Sequence, residues 1–241
     1  MRESGATPRS AAEGRGPWRQ RRGVIRYLRP STGAVRGEER FVLTRAPDGS
    51  RTVRSLSWIV DVRGGVLRDV TYTVDGEWRP QQCFTRLEVG GMFHGAGWLV
   101  REGKLLLASA VLADRGRIAQ QVRLPGRFAV IAHPVVLDAW QFPAAYDHDR
   151  GGEQRWTVYD LSPGGEGYDG PLGWVHRNGG IFLGEEPMTA PAGTFLCRHY
   201  RILPDAFASI DVWVTSEDVL LVVMDWPGFD ARYELIELRD D

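Results

Sequence analysis

Through the first half of the chain, short apolar segments alternate with glycine- and aspartate-bearing turns, and this rhythm limits the fold more than any other feature. The turns are Pro30-Ser-Thr-Gly33, Pro47-Asp48-Gly49, Gly64-Gly65, Asp75-Gly76, Gly90-Gly91, Glu102-Gly103 and Arg115-Gly116, spaced eleven to sixteen residues apart. Gly and Asp tolerate the positive φ of tight hairpins, so the spacing predicts an antiparallel meander. The candidate strands are residues 24–29, 38–45, 51–61, 66–74, 82–89, 93–101, 104–112 and 117–124. No stretch in this half carries a 3.6-residue apolar period, which argues against crossover helices and a parallel α/β sheet.

Alternation also assigns faces. Val70, Tyr72 and Val74 share one side of a strand, with Asp69, Thr71, Thr73 and Asp75 on the other. Leu87 and Val89 oppose Arg86 and Glu88 in the same way. Gly103 to Leu112 is nearly continuous apolar text, which predicts a strand covered on both faces.

The rhythm stops at residues 128–149, after Leu124-Pro125. Pro134 and Pro143 frame a segment in which Val135, Asp138 and Phe142 recur at helical spacing, and Pro134 suits a first helical turn. We read a short helix or ordered loop crossing the concave face of the sheet. Residues 143–153 form a polar loop, Trp156 to Leu161 a strand, and Ser162 to Gly180 a Gly-rich excursion with Tyr168, Trp174 and His176 that is either a mobile loop or a lid. Hairpin text then returns at residues 181–188, 194–203, 209–215, 219–226 and 231–238, which close the sheet.

At 241 residues one large β domain suffices, so residues 23–241 are expected to form it and residues 1–22, rich in Arg, Gly, Ser and Ala, a disordered basic tail. That tail has no apolar stretch of signal-peptide length, and no apolar run approaches the roughly 18 residues of a membrane span. A soluble, cytoplasmic protein without membrane insertion is the expectation. Residues 1–45 carry eleven Arg against four Glu, and residues 205–241 ten acids against two Arg, within a formal net charge of -1. With no aromatic-interleaved basic motif, nucleic-acid binding is not expected. Cys83 and Cys197 lack metal-ligand spacing and read as core-facing thiols.

Two passages resemble known proteins. Tyr72-Thr-Val-Asp-Gly-Glu-Trp78-Arg79, with Gly95-Ala-Gly-Trp98-Leu-Val-Arg-Glu-Gly103, resembles the first half of a bacterial glycolipid-binding family. Thr189-Ala-Pro-Ala-Gly193-Thr-Phe195, Tyr200-Arg201, Asp211-Val-Trp213-Val and Trp226-Pro-Gly-Phe-Asp-Ala-Arg-Tyr233 resemble the closing strands of spiral β-roll proteins, a group that includes the periplasmic lipoprotein carriers. The resemblance implies a long, curled antiparallel sheet around a central helix or loop, with an apolar concavity for acyl or other greasy ligands.

The candidate chemistry centres on His133-Pro134 and Asp138. If a helix starts at Pro134, His133 caps it and Asp138 lies a little over one turn on, so imidazole and carboxyl could share a bound molecule as an acid/base pair. The competing reading is a capping His and an Asp bonded to backbone or Arg. Tyr146-Asp147-His148-Asp149-Arg150 offers Tyr146 as a further acid/base group, or a solvated loop; too few oxygen ligands follow for a hard metal, and no metal is expected. Cys197 and His199 share a strand face with Arg201, a weak dyad or a grip for an anionic head group. Trp58, Tyr72, Trp98, Trp140 and Trp213, with His199 and Arg201, are the candidate ligand-binding wall, among nine Trp and seven Tyr. The aromatics alternatively fill a large core or a homodimer interface. No P-loop, G-x-S-x-G or dinucleotide motif occurs, so no cofactor is expected. The reading is an all-β roll or open barrel around a short helix or loop that binds a hydrophobic or amphipathic small molecule. The alternative is a cofactor-independent isomerase, cyclase, hydratase or lyase acting on a terpenoid, polyketide or aromatic substrate.

Overall fold

The computed structural model describes residues 18–123, 126–161, 164–205 and 207–240. Fifteen strands form one sheet: β1 Arg19–Arg29, β2 Ala34–Arg45, β3 Arg51–Ile59, β4 Val66–Val74, β5 Pro80–Val89, β6 Met92–Glu102, β7 Leu105–Leu112, β8 Gly116–Arg123, β9 Phe128–Ile131, β10 Gln154–Asp160, β11 Trp174–Ala190, β12 Gly193–Ile202, β13 Ile210–Thr215, β14 Leu221–Trp226 and β15 Ala231–Asp240. The spatial order is β8 through β1, then β15 back to β9, so the first and last strands pair at the middle of the sheet. The expected tail lies outside the described residues up to residue 17, and Arg19 to Arg22 belong to β1 rather than to a tail.

Neighbouring strands are antiparallel except β9 and β10, which run parallel. Parallel strands need a crossover, and the proline-framed segment supplies it. It forms a 3-10 helix Val135–Trp140 that continues into α1, Gln141–Ala145. Val136, Ala139 and Phe142 are completely buried, so this segment is a plug inside the curled sheet. Trp140 packs against Tyr72 and Trp78 at ring-centroid distances of 5.8 and 5.3 Å, and Phe142 stacks on Tyr200 at 4.0 Å.

Curling has local causes. Register shifts in the β1–β2, β1–β15, β5–β6 and β11–β12 pairs mark bulges, which bend a strand and increase its twist. At Gly37, beside the β1–β2 bulge, a Cβ would fall inside the Trp58 carbonyl, so two backbones approach there as only glycine permits. The inward faces supply the core, including Ile25, Phe41, Leu43, Val53, Val70, Tyr72 and Leu87. Cys83 and Cys197 are buried free thiols. Strand β7 departs from expectation: Leu106, Ala108, Ala110 and Leu112 are buried, but Ser109 and Val111 are exposed, so the outer face is left open at these positions. No described helix is long and apolar enough to cross a membrane.

Candidate functional site

Between the plug and strands β12 to β15 lies a cavity of about 470 Å³. Ile202, Ile210, Met224, Trp226 and Tyr233 form one wall from the inward positions of those strands. The plug contributes Val135, Asp138 and Gln141, and β9 and the residues after it contribute Ile131 and His133. The mouth is framed by Trp174, Asp205 and Phe207. Six polar side chains converge on this apolar space: His133, Asp138, Gln141, Asp160, His176 and Asn178.

The cavity therefore brings His133 and Asp138 together, though not as a helix cap and its neighbour. His133 has φ of +80° and precedes Pro134, and no side chain of the segment itself caps the helix. The cap comes from β2, where Glu39 Oε2 accepts the Val135 N–H at 2.8 Å. Glu39 also accepts the Tyr27 hydroxyl at 2.7 Å and the Ser55 hydroxyl at 2.9 Å. Burial pushes the Glu39 carboxyl up to about 7 despite these hydrogen bonds.

Among the described residues, neither His133 nor Asp138 makes a side-chain hydrogen bond or ion pair. Burial, with Glu39 and Asp160 nearby, raises Asp138 well above the ordinary carboxylate range. Burial, with the Arg68 and Arg36 guanidiniums nearby, lowers His133 well below the ordinary imidazole range. Burial thus favours the uncharged form of each, a carboxylic acid that can donate and an imidazole that can accept.

His176 is the opposite case. Its Nε2 faces Asp160 Oδ2 at 3.1 Å and its Nδ1 faces the Arg177 carbonyl at 3.1 Å. Two acceptors require two N–H groups, so the hydrogen bond to Asp160 raises His176 against the effect of burial.

The Gly-rich segment starts at residue 161 and ends where β11 begins at Trp174, six residues earlier than Gly180. Ser162 and Pro163 lie outside the described residues. Arg68, buried on the inward face of β4, reaches this loop and donates from Nη1 to the Gly167 and Asp169 carbonyls at 2.8 and 2.7 Å. Burial lowers it only to about 10, so it remains a cation. Gly167, at φ +78°, lies where a Cβ would fall on the His133 ring, and Gly165 packs on Trp226 in the same way. The loop covers the cavity at these two glycines.

Other expected site residues stand elsewhere. None of Trp58, Trp98, His199, Arg201 and Trp213 lines the cavity: in β3, β6 and β13 the opposite parity is the buried one, and in β12 the buried Tyr200 and Ile202 alternate with the half-buried His199 and Arg201. Trp58 sits under the Arg40 guanidinium, 5.3 Å from its ring centre, and Trp98 is 55% exposed. His199 stacks on Trp213 at 4.2 Å and lies 3.0 Å from both Asp211 and Glu186. Arg201 pairs with Asp211 through bonds of 2.9 and 3.2 Å, away from the cavity. Tyr146 is not at the cavity: its hydroxyl donates to the Gly152 carbonyl at 2.8 Å and accepts the Phe182 N–H at 3.3 Å. Tyr72 is a core residue packed on Trp140 of the plug, and neither lines the cavity. Among the described residues, no three His, Cys, Asp or Glu side chains are grouped to hold a metal.

The sequence reading overlooked Glu39, Arg68, Gln141, Asp160 and Asn178. For Glu39 and Arg68 the signal was present: each occupies the inward parity of an alternating strand, Glu39 with Phe41 and Leu43, Arg68 with Val70 and Tyr72. A charge on an inward face requires a partner inside.

No family model matches the sequence, and no curated protein sequence does. Among solved structures, the chain is similar to a β-barrel-like protein of the domain of unknown function DUF1849 from Brucella abortus, with a TM-score of 0.57 at 10% identity over 92% of this chain and 98% of that one. A DUF1089 family protein from Pseudomonas aeruginosa aligns over 79% of this chain and 88% of its own at 14% identity, with a TM-score of 0.48. The first likeness supports the β-barrel-like fold, and does not extend to the glycolipid-binding family that the sequence resembles.

Proposed function

We propose that the protein binds a hydrophobic or amphipathic small molecule in the cavity between the plug and strands β12 to β15. The observation that carries this reading is a cavity of about 470 Å³ with aliphatic and aromatic walls and a few convergent polar groups. That size and that mixture are characteristic of small-molecule sites. The test is titration with Nile red, an uncharged dye that fluoresces in apolar surroundings. Wild type should bind saturably; Ile202→Trp, which fills the cavity from β12, should weaken binding at least tenfold; and Trp98→Ala, on the outer face, should leave it unchanged. Binding lost in Trp98→Ala and kept in Ile202→Trp would place the ligand elsewhere.

One observation favours a second reading. The unpartnered acid and neutral base at His133 and Asp138 suit a cofactor-independent isomerase or lyase, with Asp138 protonating an oxygen while His133 takes a proton. It differs from binding alone in requiring a turnover that His133→Ala abolishes while Nile red affinity is kept.

A further inference from the structure

The hydrogen-bonding capacity of the cavity floor points to the head group of its ligand. Gln141 and Asn178 are buried, and backbone partners fix the orientation of both amides. Gln141 Nε2 donates to the Asp138 main-chain carbonyl at 2.8 Å, and Asn178 Oδ1 accepts the Gly179 N–H at 3.0 Å. Asn178 Nδ2 then donates to Gln141 Oε1 at 2.9 Å. Both amide oxygens are therefore engaged, while each amide nitrogen keeps one N–H in hand. Asp138 adds a carboxyl group with no side-chain partner among the described residues, and burial beside Glu39 and Asp160 raises it, which favours the protonated form that donates.

Charge narrows the choice further. No Lys or Arg lines the cavity among the described residues, and the His176 ring is held on both nitrogens by Asp160 and the Arg177 carbonyl, so an anionic head would meet the Asp138 carboxyl and no cation left to pair with it. Asp160 pairs with His176, and Asp205 at the mouth pairs with Arg155 at 2.5 Å, so neither carboxylate calls for a ligand cation. An ammonium head would need Asp138 ionised, which its burial and the neighbouring Glu39 oppose. An uncharged oxygen acceptor meets a surplus of donors.

We propose that the cavity selects an uncharged amphiphile bearing a carbonyl oxygen (a ketone, aldehyde, ester or lactone), that oxygen accepting from Asp138, Gln141 and Asn178 while the tail lies along Ile202, Ile210 and Met224. The proposal rests on the ligand-binding reading above and adds the class of head group.

The test is displacement of Nile red from the full chain by a matched series of 2-octanone, octanoate, octylammonium and octane. 2-Octanone should displace the dye at about tenfold lower concentration than the other three, a difference of ~1.4 kcal/mol that suits one good hydrogen bond. Asp138→Asn, whose amide still donates, should keep this preference, and Asp138→Leu should abolish it. The infrared carbonyl stretch of bound 2-octanone, which needs no variant, should move to lower frequency than in hexane. Equal displacement by ketone and octane, or an unshifted stretch, overturns the donor role. Tighter octanoate or octylammonium overturns the uncharged class, and both results leave binding in the cavity standing. Failure of all four while Nile red binds overturns the head-group proposal alone; failure of Nile red itself overturns the binding reading beneath it.

Discussion

Glu39 shows how one side chain connects the sheet to the site. It ties β1, β2 and β3 through Tyr27 and Ser55, and holds the first N–H of the plug at Val135. Its folded value of about 7 exceeds the unfolded value of 4.5, so the folded protein retains a proton that the unfolded chain has released across that interval. Its contribution is fully present below the unfolded value and is lost as pH rises through the folded one, by about 3 kcal/mol at ~1.4 kcal/mol per pH unit. Glu39→Gln, which cannot ionise, should therefore be more destabilising at pH 5 than at pH 8. Urea unfolding at the two pH values checks this, and a pH-independent difference would contradict it. Asp138, raised in the same direction, adds to the wild-type decline. The sequence made Glu39 legible as an inward charge, but its partner Val135 lies 96 residues away, a distance that no local pattern encodes.

At the scale of elements, the Arg68 guanidinium latches the loop after β10. Arg68 makes two charge-assisted bonds to its carbonyls, each worth roughly 1.5–3 kcal/mol, partly offset by the cost of burying the charge. Arg68→Met should release the loop without unfolding the sheet. Hydrogen exchange at the Gly164 and Gly173 amides, held by Asp169 and by the Tyr159 hydroxyl, should quicken by about tenfold while β4 and β5 stay protected. Unchanged exchange at both glycines would contradict the latch. Most strands were legible because turn chemistry is local. Strand β9 was not, since its four residues carry too little alternation to separate it from the plug. The helical spacing of Val135, Asp138 and Phe142 was read correctly, whereas the outer face of β7 was misread because apolar text does not reveal what covers it.

At the scale of the molecule, the sheet curls until its edge strands, β8 and β9, face a seam without pairing to each other. Side chains bridge that seam: the Tyr159 hydroxyl donates to Gln120 at 2.6 Å, and Pro171 packs where Gly95 and Gly97 leave room. The all-β class and the central plug followed from the sequence, and the resemblance implied an apolar concavity, while the lining of the cavity did not follow. Its lining comes from inward positions on the last strands, and only folding shows that these surround His133 and Asp138 while Trp98 and Trp213 face outward. Methionine supplies the most direct test of that placement. Met224 lines the cavity, whereas Met92 is 74% exposed on β6 and Met188 belongs to β11 outside the lining. With the methyl groups labelled with carbon-13, titration with Nile red should move the Met224 resonance saturably and leave Met92 and Met188 in place. A saturable shift at Met92 or Met188 with Met224 unmoved would show that the ligand binds outside the cavity.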